Sequence, residues 1–315
     1  MSIAFVFPGQ GSQAVGMGKD FIEQFSAARL VMEEADEVLK QKLTKLILEG
    51  PQDELTLTEN TQPALLAISM AILGTLEQET GKPAYQLAKY VAGHSLGEYS
   101  AHCAAGTFSL ADALRLVRLR GQAMQKAVPV GNGSMAAILG LEIDQIESLL
   151  KDFTSANHLC VIANDNSPGQ LVISGHTVAV EEASAKATEA GAKRALLLPV
   201  SAPFHSPLME PAANAMKDAL DEVSIQEPKL EVIANITAMP IQGKEFISEM
   251  LVKQITGRVR WRESIQHLAQ LETDHVIEIG AGKVLTGLNK RIDNTINAFS
   301  INNPSDMDEF FKLIA

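Results

Sequence analysis

Residues 91–100 read VAGHSLGEYS and place Ser95 between two glycines. The stretch KYVAGHS (89–95) has the apolar character of a buried strand, and a helical pattern covers 97–105. A serine at such a strand-to-helix corner forms a nucleophile elbow, in which the flanking glycines relieve crowding and let Oγ project from the sheet edge. The alternative is a tight turn with an inert serine, and the pattern alone leaves both interpretations open.

Strand-like and helical stretches alternate on both sides of this corner. The apolar run IAFVFPG (3–9) predicts a first strand. Helical patterns cover 20–40, 63–78 and 110–127. Thr61 and Pro63 suit the start of the second of these helices. Alternation of this kind is typical of an α/β fold, with a mostly parallel sheet and helices on its faces.

The stretch 128–198 has a different order of elements. Strands and helices are predicted in the order β-α-β-β-α-β, at 134–141, 143–153, 159–165, 170–175, 177–190 and 194–200. Pro168-Gly169 fits a type II turn between the two middle strands. This order is ferredoxin-like. We therefore expect a large hydrolase-like domain formed by 1–127 and 199–315, with a small ferredoxin-like subdomain, 128–198, inserted into it.

Composition and charge exclude several classes of protein. The chain has 315 residues and a formal net charge of −12, which argues against a general nucleic-acid binder, because phosphate needs basic surface. Its two cysteines, without a CxxC motif, argue against a disulfide framework or a structural zinc site. The longest apolar stretch, 63–76, is too short to span a bilayer. With no secretory pattern at the N-terminus, we expect a cytoplasmic protein that binds neither membrane nor metal.

A serine nucleophile needs a base, and His205 is the best candidate. It lies in the proline-rich loop PVSAPFHSPLMEP (199–211), directly after a predicted strand. A loop histidine packed against prolines is the alternative. The other histidines fit solvated or structural roles: His94, His102, His158, His176, His267 and His275. No aspartate recommends itself as a third member, so a backbone or amide carbonyl could orient the imidazole instead.

Arg120 is the main anomaly in the helix predicted at 110–127, which begins after Ser109 in a variant of the capping box. At 100° per residue, Arg120 falls inside the apolar arc of this helix, between Ala113 and Ala127. A buried arginine must be paired, either in an internal salt bridge or with a substrate carboxylate, which a guanidinium binds bidentately. A general esterase has no use for such a cation, whereas a transferase for acyl groups with a free carboxylate does.

The chain resembles a known family of proteins. Seven stretches carry the resemblance, in order from end to end: FVFPGQGSQ (5–13), TQPALLA (61–67), GHSLGEYSA (93–101), RGQAMQ (120–125), NSPGQLVISG (166–175), PVSAPFHS (199–206) and EIGAGKVLTGL (278–288). They are similar to the malonyl-CoA:acyl carrier protein transacylases, which are related to the acyltransferase domains of fatty-acid and polyketide synthases. The resemblance covers essentially the whole chain and implies the same fold that the alternation of elements predicts.

The resemblance implies a role for several residues. Ser95 matches the acylated nucleophile, His205 the base, and Arg120 the residue that pairs with the malonyl carboxylate. Phe204 resembles the residue of malonyl-selective relatives that would crowd a 2-methyl branch.

The remaining implied roles support these residues. Gln10 and the backbone N–H of Leu96 match the oxyanion hole, and the main-chain carbonyl of Gln254 matches the group that orients His205. The family therefore implies a Ser–His dyad without an acid.

The activity implied is transfer of malonyl from malonyl-CoA to the phosphopantetheine thiol of acyl carrier protein, by way of a malonyl-Ser95 ester, for fatty-acid chain elongation. It implies no metal or other cofactor, and we expect a monomer. Acyl carrier proteins are acidic, so docking implies a local basic surface, although a solvated basic face is the alternative. Six residues are candidates for that surface: Arg258, Arg260, Arg262, Lys283, Lys290 and Arg291.

The sequence leaves three other functions open. A serine hydrolase could use the same elbow, although Arg120 and the missing acid argue against it. A binding module for carrier proteins could keep the scaffold without activity, although the intact set of site residues argues against that. A transacylase for polyketide or polyunsaturated-lipid synthesis would use the same chemistry, and the sequence does not separate it from one for fatty-acid synthesis.

Overall fold

The structure is a computed structural model that describes residues 1–200 and 202–315. Its strands form two separate five-stranded sheets. In chain order the strands are β1 (Ile3–Phe7), β2 (Tyr90–Gly93), β3 (Gly133–Leu139), β4 (Thr154–Ser155), β5 (His158–Ser167), β6 (Gln170–His176), β7 (Arg194–Leu197), β8 (Glu231–Ile233), β9 (His275–Ile279) and β10 (Asn297–Ile301).

Helices surround both sheets. In chain order they are α1 (Lys19–Gln24), α2 (Ser26–Leu39), α3 (Leu43–Glu49), α4 (Gln52–Thr56), α5 (Thr58–Thr80), α6 (Ala84–Leu87), α7 (Gly97–Ala104), α8 (Leu110–Lys126), α9 (Ile143–Leu149), α10 (Thr177–Glu189), α11 (Glu210–Asp221), α12 (Ile247–Thr256), α13 (Trp261–Gln270), α14 (Val284–Ile292) and α15 (Met307–Ile314). Among the described ranges, no helix combines the length and the apolarity needed to cross a bilayer.

The larger sheet has the strand order β10-β9-β1-β2-β8, and every pair in it is parallel. Its middle strand, β1, is buried at all five positions, because helices cover both faces of a parallel sheet. All the strands end at the same edge of the sheet, and β2 ends there at Gly93, two residues before Ser95. The predicted α/β class is confirmed, and Ser95 lies at the carboxyl edge of the larger sheet.

The smaller sheet is antiparallel, with the order β4-β5-β6-β3-β7. Apart from the two-residue strand β4, its elements follow the predicted β-α-β-β-α-β order, and it has an apolar core of its own. Gly169 has a φ of +65°, as the predicted type II turn requires at its second central position. The ferredoxin-like insertion is therefore confirmed, while the exact boundary at 128–198 stays a prediction.

Two helix boundaries differ from the prediction. The helix predicted at 20–40 is interrupted at Phe25, which has an extended backbone and lies beside the ring of Phe21. The helix expected to start near Thr61 or Pro63 begins earlier, at Thr58.

Pro63 therefore lies inside this helix. Proline has no N–H to donate to the carbonyl four residues earlier, which is that of Glu59. That carbonyl accepts from Nη1 of Arg118 on α8 at 2.6 Å instead. Arg118 is half-buried, and it satisfies the carbonyl group that the proline leaves free.

Candidate active site

The turn between β2 and α7 has the geometry of a nucleophile elbow. Ser95 has a φ of +55°, an uncommon conformation for a residue with a Cβ and one that marks local strain. The glycines are needed for close approach. A Cβ on Gly93 would lie 1.8 Å from the carbonyl oxygen of Gly97, and a Cβ on Gly97 would lie 2.3 Å from that of Phe7. Any other residue at either position would push α7 away from the sheet.

The structure brings His205 to Ser95. The Oγ of Ser95 lies 2.7 Å from Nε2 of His205, and Nδ1 of His205 lies 2.8 Å from the main-chain carbonyl oxygen of Gln254. A carbonyl only accepts, so Nδ1 carries the proton and Nε2 is free to accept from the Ser95 hydroxyl. His205 is buried, and the bonds at both ring nitrogens hold the ring in one orientation.

The environment of His205 favours the neutral imidazole. Burial, helped by the positive charge of Arg120, lowers the pKa of His205 to about 3. At neutral pH the ring is therefore uncharged and able to take a proton. No carboxylate is needed for its orientation, since the Gln254 carbonyl supplies the acceptor.

Arg120 is buried, as the helix pattern predicts, with 1% of its surface exposed. Its Nη1 donates to Oε1 of Gln62 at 2.8 Å, and its Nη2 donates to Oε1 of Gln254 at 2.8 Å and to Oγ of Ser95 at 3.1 Å. The ring of Tyr99 lies 5.6 Å from its Cζ. In the described part of the chain none of these partners is a carboxylate, so the predicted alternative of an internal salt bridge is not observed.

A cavity of about 110 Å³ opens over these side chains. Its lining includes Gln10, Gln62, Ser95, Leu96, Arg120, Met124, Phe204 and His205. A second cavity of about 510 Å³ shares Gln10, Val200 and Phe204 with the first and extends between the start of α5 and the smaller sheet. The small cavity has room for a short acyl group, and the larger one has room for a longer chain attached to that group.

The two residues assigned to an oxyanion hole border the same cavity. Leu96 follows Ser95 at the start of α7, where backbone N–H groups have no partner within the helix. Gln10 follows the end of β1, and its Oε1 accepts from the hydroxyl of Thr58 at 2.7 Å. Their position is therefore compatible with the predicted role, which stays a prediction.

Three residues of the site were not predicted as functional. Gln62 contacts Arg120, as described above. Asn235 accepts from the backbone N–H of Ser95 through Oδ1 at 2.8 Å and donates through Nδ2 to the carbonyl of Gly93 at 2.7 Å. Glu98 is fully buried and bonds to Gln254 and to Asn235. Gln62 and Glu98 lie within the quoted motifs, but Asn235 belongs to no pattern that could have singled it out.

His94, the immediate neighbour of Ser95, does not serve as its base. Its Nε2 lies 2.8 Å from Oδ1 of Asn166, and its ring lies beside that of Trp261. The elbow turns the two side chains in different directions, and His94 has the structural role that the sequence analysis expects.

The expected basic surface is not a single patch. Arg258 bonds to Glu147, Arg260 to Glu263, and Arg262 to the buried carboxylate of Asp165 in a bidentate pair. These three arginines are therefore already paired within the protein.

The lysines are divided between the two ends of the sheet. Lys290 borders a cleft with His275, the first residue of β9, and Arg291 follows it on α14. This is the amino end of the sheet, opposite to Ser95. Lys283 is exposed just before α14, beyond the carboxyl end of β9. The six candidate cations therefore do not form one continuous face, because α14 runs from the carboxyl end of the sheet to its amino end, and the docking surface for a carrier protein stays a prediction.

The fold and the site together define a class: α/β proteins with a strand–Ser–helix elbow, a hydrogen-bonded Ser–His pair and a ferredoxin-like insertion. Comparison with known proteins then identifies the family. The profile of the acyl transferase domain family matches residues 4–297. The malonyl CoA-acyl carrier protein transacylase of Bacillus subtilis (strain 168) is 46% identical over 306 residues, which are 97% of this chain and 95% of that protein.

Solved structures agree. The acyl-carrier-protein-S-malonyltransferase of Bartonella henselae superposes with a TM-score of 0.97 at 53% identity and covers 100% of this chain and 99% of its own. A malonyl-transacylase in complex with a type II PKS acyl-carrier protein has a TM-score of 0.94 at 42% identity, covering 99% of this chain and 100% of its own. This chain belongs to the acyl transferase domain family and, within it, to the malonyl CoA-acyl carrier protein transacylases.

Proposed function

We propose that the protein transfers malonyl from malonyl-CoA to the phosphopantetheine thiol of acyl carrier protein, through an ester on Ser95. One observation supports this proposal most strongly. A buried guanidinium without a carboxylate partner among the described residues lies 3.1 Å from the Oγ of a serine that is itself bonded to a neutral histidine. Such an arrangement suits an acyl group that brings its own carboxylate.

In the first half-reaction, Ser95 attacks the thioester carbonyl carbon of malonyl-CoA. His205 takes the hydroxyl proton at Nε2, and the carbonyl oxygen becomes an oxyanion that accepts from donors at Gln10 and Leu96. When the intermediate collapses, the carbon–sulfur bond breaks and the thiol of CoA leaves with the proton from His205. The product is a malonyl ester on Ser95.

In the second half-reaction, the thiol of the carrier protein takes the place of CoA. His205 accepts its proton as the sulfur attacks the ester carbonyl, and the carbon–oxygen bond to Ser95 breaks. The proton returns to Oγ, which restores the free enzyme. The same groups thus act in both directions, as ping-pong kinetics requires.

Arg120 gives this site its preference for a carboxylate. Removal of the guanidinium from water costs several kcal/mol, and neutral partners such as Gln62 and Gln254 offset this only in part. The malonyl carboxylate can bond to the guanidinium directly, as no carboxylate among the described residues does, whereas an acetyl group leaves the cation as it was. We therefore propose malonyl as the acyl group in preference to acetyl.

The direct test of the proposed function is the fate of the isolated acyl-enzyme. The malonyl-enzyme, freed of CoA, is mixed with acyl carrier protein that carries phosphopantetheine, and malonyl carrier protein is measured by mass spectrometry. We expect discharge to the carrier to be much faster than hydrolysis. A matched control uses the carrier without phosphopantetheine, which offers no thiol. If the ester is lost to water at the same rate with either carrier, the protein is a hydrolase instead.

Phe204 should restrict the acyl group at its second carbon. This residue is buried between the small cavity and the larger one. We expect Phe204→Ala to raise the ratio of kcat/KM for 2-methylmalonyl-CoA to that for malonyl-CoA by about 10–100-fold, since one methyl group is worth about 1–3 kcal/mol in a pocket. Phe204→Leu should give an intermediate ratio. An unchanged ratio in Phe204→Ala would mean that other residues set this limit.

Several further properties belong to the proposal. We propose that the protein acts as a monomer in the cytoplasm, in fatty-acid chain elongation, without a metal or redox cofactor. Gel filtration with light scattering and metal analysis of the pure active protein test the first and last of these.

A further inference from the structure

Glu98 is a buried acid that the mechanism above does not use. It lies three residues after Ser95, in the first turn of α7, and none of its surface is exposed. Its Oε2 accepts from Nε2 of Gln254 at 2.8 Å and from the backbone N–H of Asn235 at 3.1 Å. A single carboxylate oxygen thus links α7 to α12 and to the segment after β8.

The two partners of Glu98 both touch the reacting groups. The main-chain carbonyl of Gln254 accepts a hydrogen bond from Nδ1 of His205, and its side-chain Oε1 accepts one from Nη2 of Arg120. The Oδ1 of Asn235 accepts a hydrogen bond from the backbone N–H of Ser95. Glu98 therefore lies one hydrogen bond away from each of the groups that hold Ser95, His205 and Arg120.

The acceptor character of Glu98 determines which way the Gln254 amide faces. Nε2 of Gln254 donates to Oε2 of Glu98 and to the carbonyl oxygen of Ser95, at 2.8 Å each, which leaves Oε1 facing Arg120. The reversed amide would set an NH₂ group against the guanidinium, donor against donor, and an oxygen against two oxygens. Both outcomes leave buried polar groups unpaired, at about 1–3 kcal/mol for each group.

We propose that Glu98 is a positioning residue for the proposed transfer: it fixes the Gln254 amide and the Asn235 backbone, and through them the mutual geometry of Ser95, His205 and Arg120. It touches no substrate. The inference rests on the proposed function for its consequences in malonyl transfer, but the positioning of Ser95 and His205 can be tested without malonyl-CoA.

The hydrogen bonds, and not the charge, carry this role. Burial raises the pKa of Glu98 to about 7, and the bonds from Gln254 and Asn235 and the charge of Arg120 oppose the rise. Its Oε1 has no partner among the described residues, so a proton there leaves Oε2 as the acceptor. Both charge states hold the same two donors, and an amide in place of the carboxyl can do the same.

Three variants separate positioning from simple packing. Glu98→Gln keeps an acceptor oxygen, Glu98→Met keeps the length without one, and Ser100→Ala removes a buried hydroxyl of the same helix that has no partner among the described residues. We expect Glu98→Met to lower kcat for malonyl transfer by about 10²-fold, since small misplacements of catalytic groups have effects of that size. Glu98→Gln should stay within about tenfold of the parent protein, and Ser100→Ala should match it.

Two outcomes would overturn the proposal. One is a folded Glu98→Met with the same kcat as Ser100→Ala. The other is a Glu98→Gln that loses as much as Glu98→Met, because the charge would then matter and not the acceptor. If Glu98→Met does not fold, Glu98→Asp serves in its place. The shorter side chain cannot reach both donors, so it should lose at least about tenfold in kcat, and a parent-like value would overturn the proposal.

Labelling of Ser95 by phenylmethylsulfonyl fluoride gives a readout that does not depend on malonyl-CoA. The second-order rate of labelling should fall in Glu98→Met and stay near the parent value in Glu98→Gln. If the parent protein is labelled in this Glu98-dependent way but forms no malonyl ester, the proposed function fails and the role of Glu98 stands. If malonyl transfer occurs but neither rate depends on Glu98, the reverse holds.

Discussion

Ser95→Ala is expected to lower malonyl transfer to acyl carrier protein by on the order of 10⁶-fold. The substitution removes the only side-chain oxygen that is bonded to Nε2 of His205 in the described part of the chain, and with it the covalent intermediate. The rate is measured as malonyl carrier protein formed per unit time from malonyl-CoA. Alanine at a φ of +55° adds no strain that serine lacks, so the protein should keep its fold.

The control for this variant is Ser100→Ala, which removes a hydroxyl from α7, the helix that follows Ser95, and should transfer at the parent rate. Circular dichroism and thermal unfolding of both variants check that the fold is intact. Transfer by a folded Ser95→Ala at more than about a hundredth of the parent rate would show that another group carries the acyl chain.

Arg120→Ala is expected to lower kcat/KM for malonyl-CoA by about 10²–10⁴-fold, because loss of one partner of a buried charge pair costs about 3–5 kcal/mol. Acetyl-CoA has no carboxylate, so its kcat/KM should change far less. The ratio of malonyl to acetyl transfer should therefore fall by a similar factor, and a competition assay with both thioesters measures it directly.

Arg115→Ala is the matched control, since Arg115 is an exposed arginine of the same helix, where it pairs with Asp112 at the surface. This variant should keep the parent selectivity. If Arg120→Ala lowers kcat/KM equally for both thioesters, the guanidinium supports Ser95 and does not bind the acyl carboxylate. That result would remove the main support for malonyl as the substrate.

The parts of the site that follow from short-range sequence were predictable. The corner at Ser95 was predictable, because the strand, the glycines and the helix lie within fifteen residues and the steric constraints between them are local. The burial of Arg120 was too, because the period of an α-helix assigns each residue to a face. The Ser109 cap of α8 likewise forms as predicted, with the backbone N–H of Asp112 bonded to the serine hydroxyl.

The partners of these residues were not predictable from pattern. Arg120 bonds to Gln62 and Gln254, which lie 58 and 134 positions away along the chain, and Ser95 bonds to Asn235 at a distance of 140 positions. No periodicity links such residues, because the packing of separate helices brings them together. The role of Gln254 was available only through the family resemblance, and that of Asn235 was not available at all.

The charge pairs of the surface were not predictable from sequence pattern either. Arg258, Arg260 and Arg262 form a positive run in the sequence, but each has an acidic partner in the fold. For Arg262 this partner is Asp165, which lies 97 positions away and is buried. Charge counted along the chain therefore overstates the positive potential that a carrier protein would meet.

The most direct test of the central claim is the mass of the protein after incubation with malonyl-CoA, with acetyl-CoA in a parallel sample. Intact mass spectrometry gives the adduct, and peptide mapping gives the residue that carries it. We predict a malonyl group on Ser95 and no comparable acetyl adduct, as expected for an acyl-serine formed beside Arg120. A malonyl group on another residue, no adduct, or equal labelling by both thioesters would contradict the account.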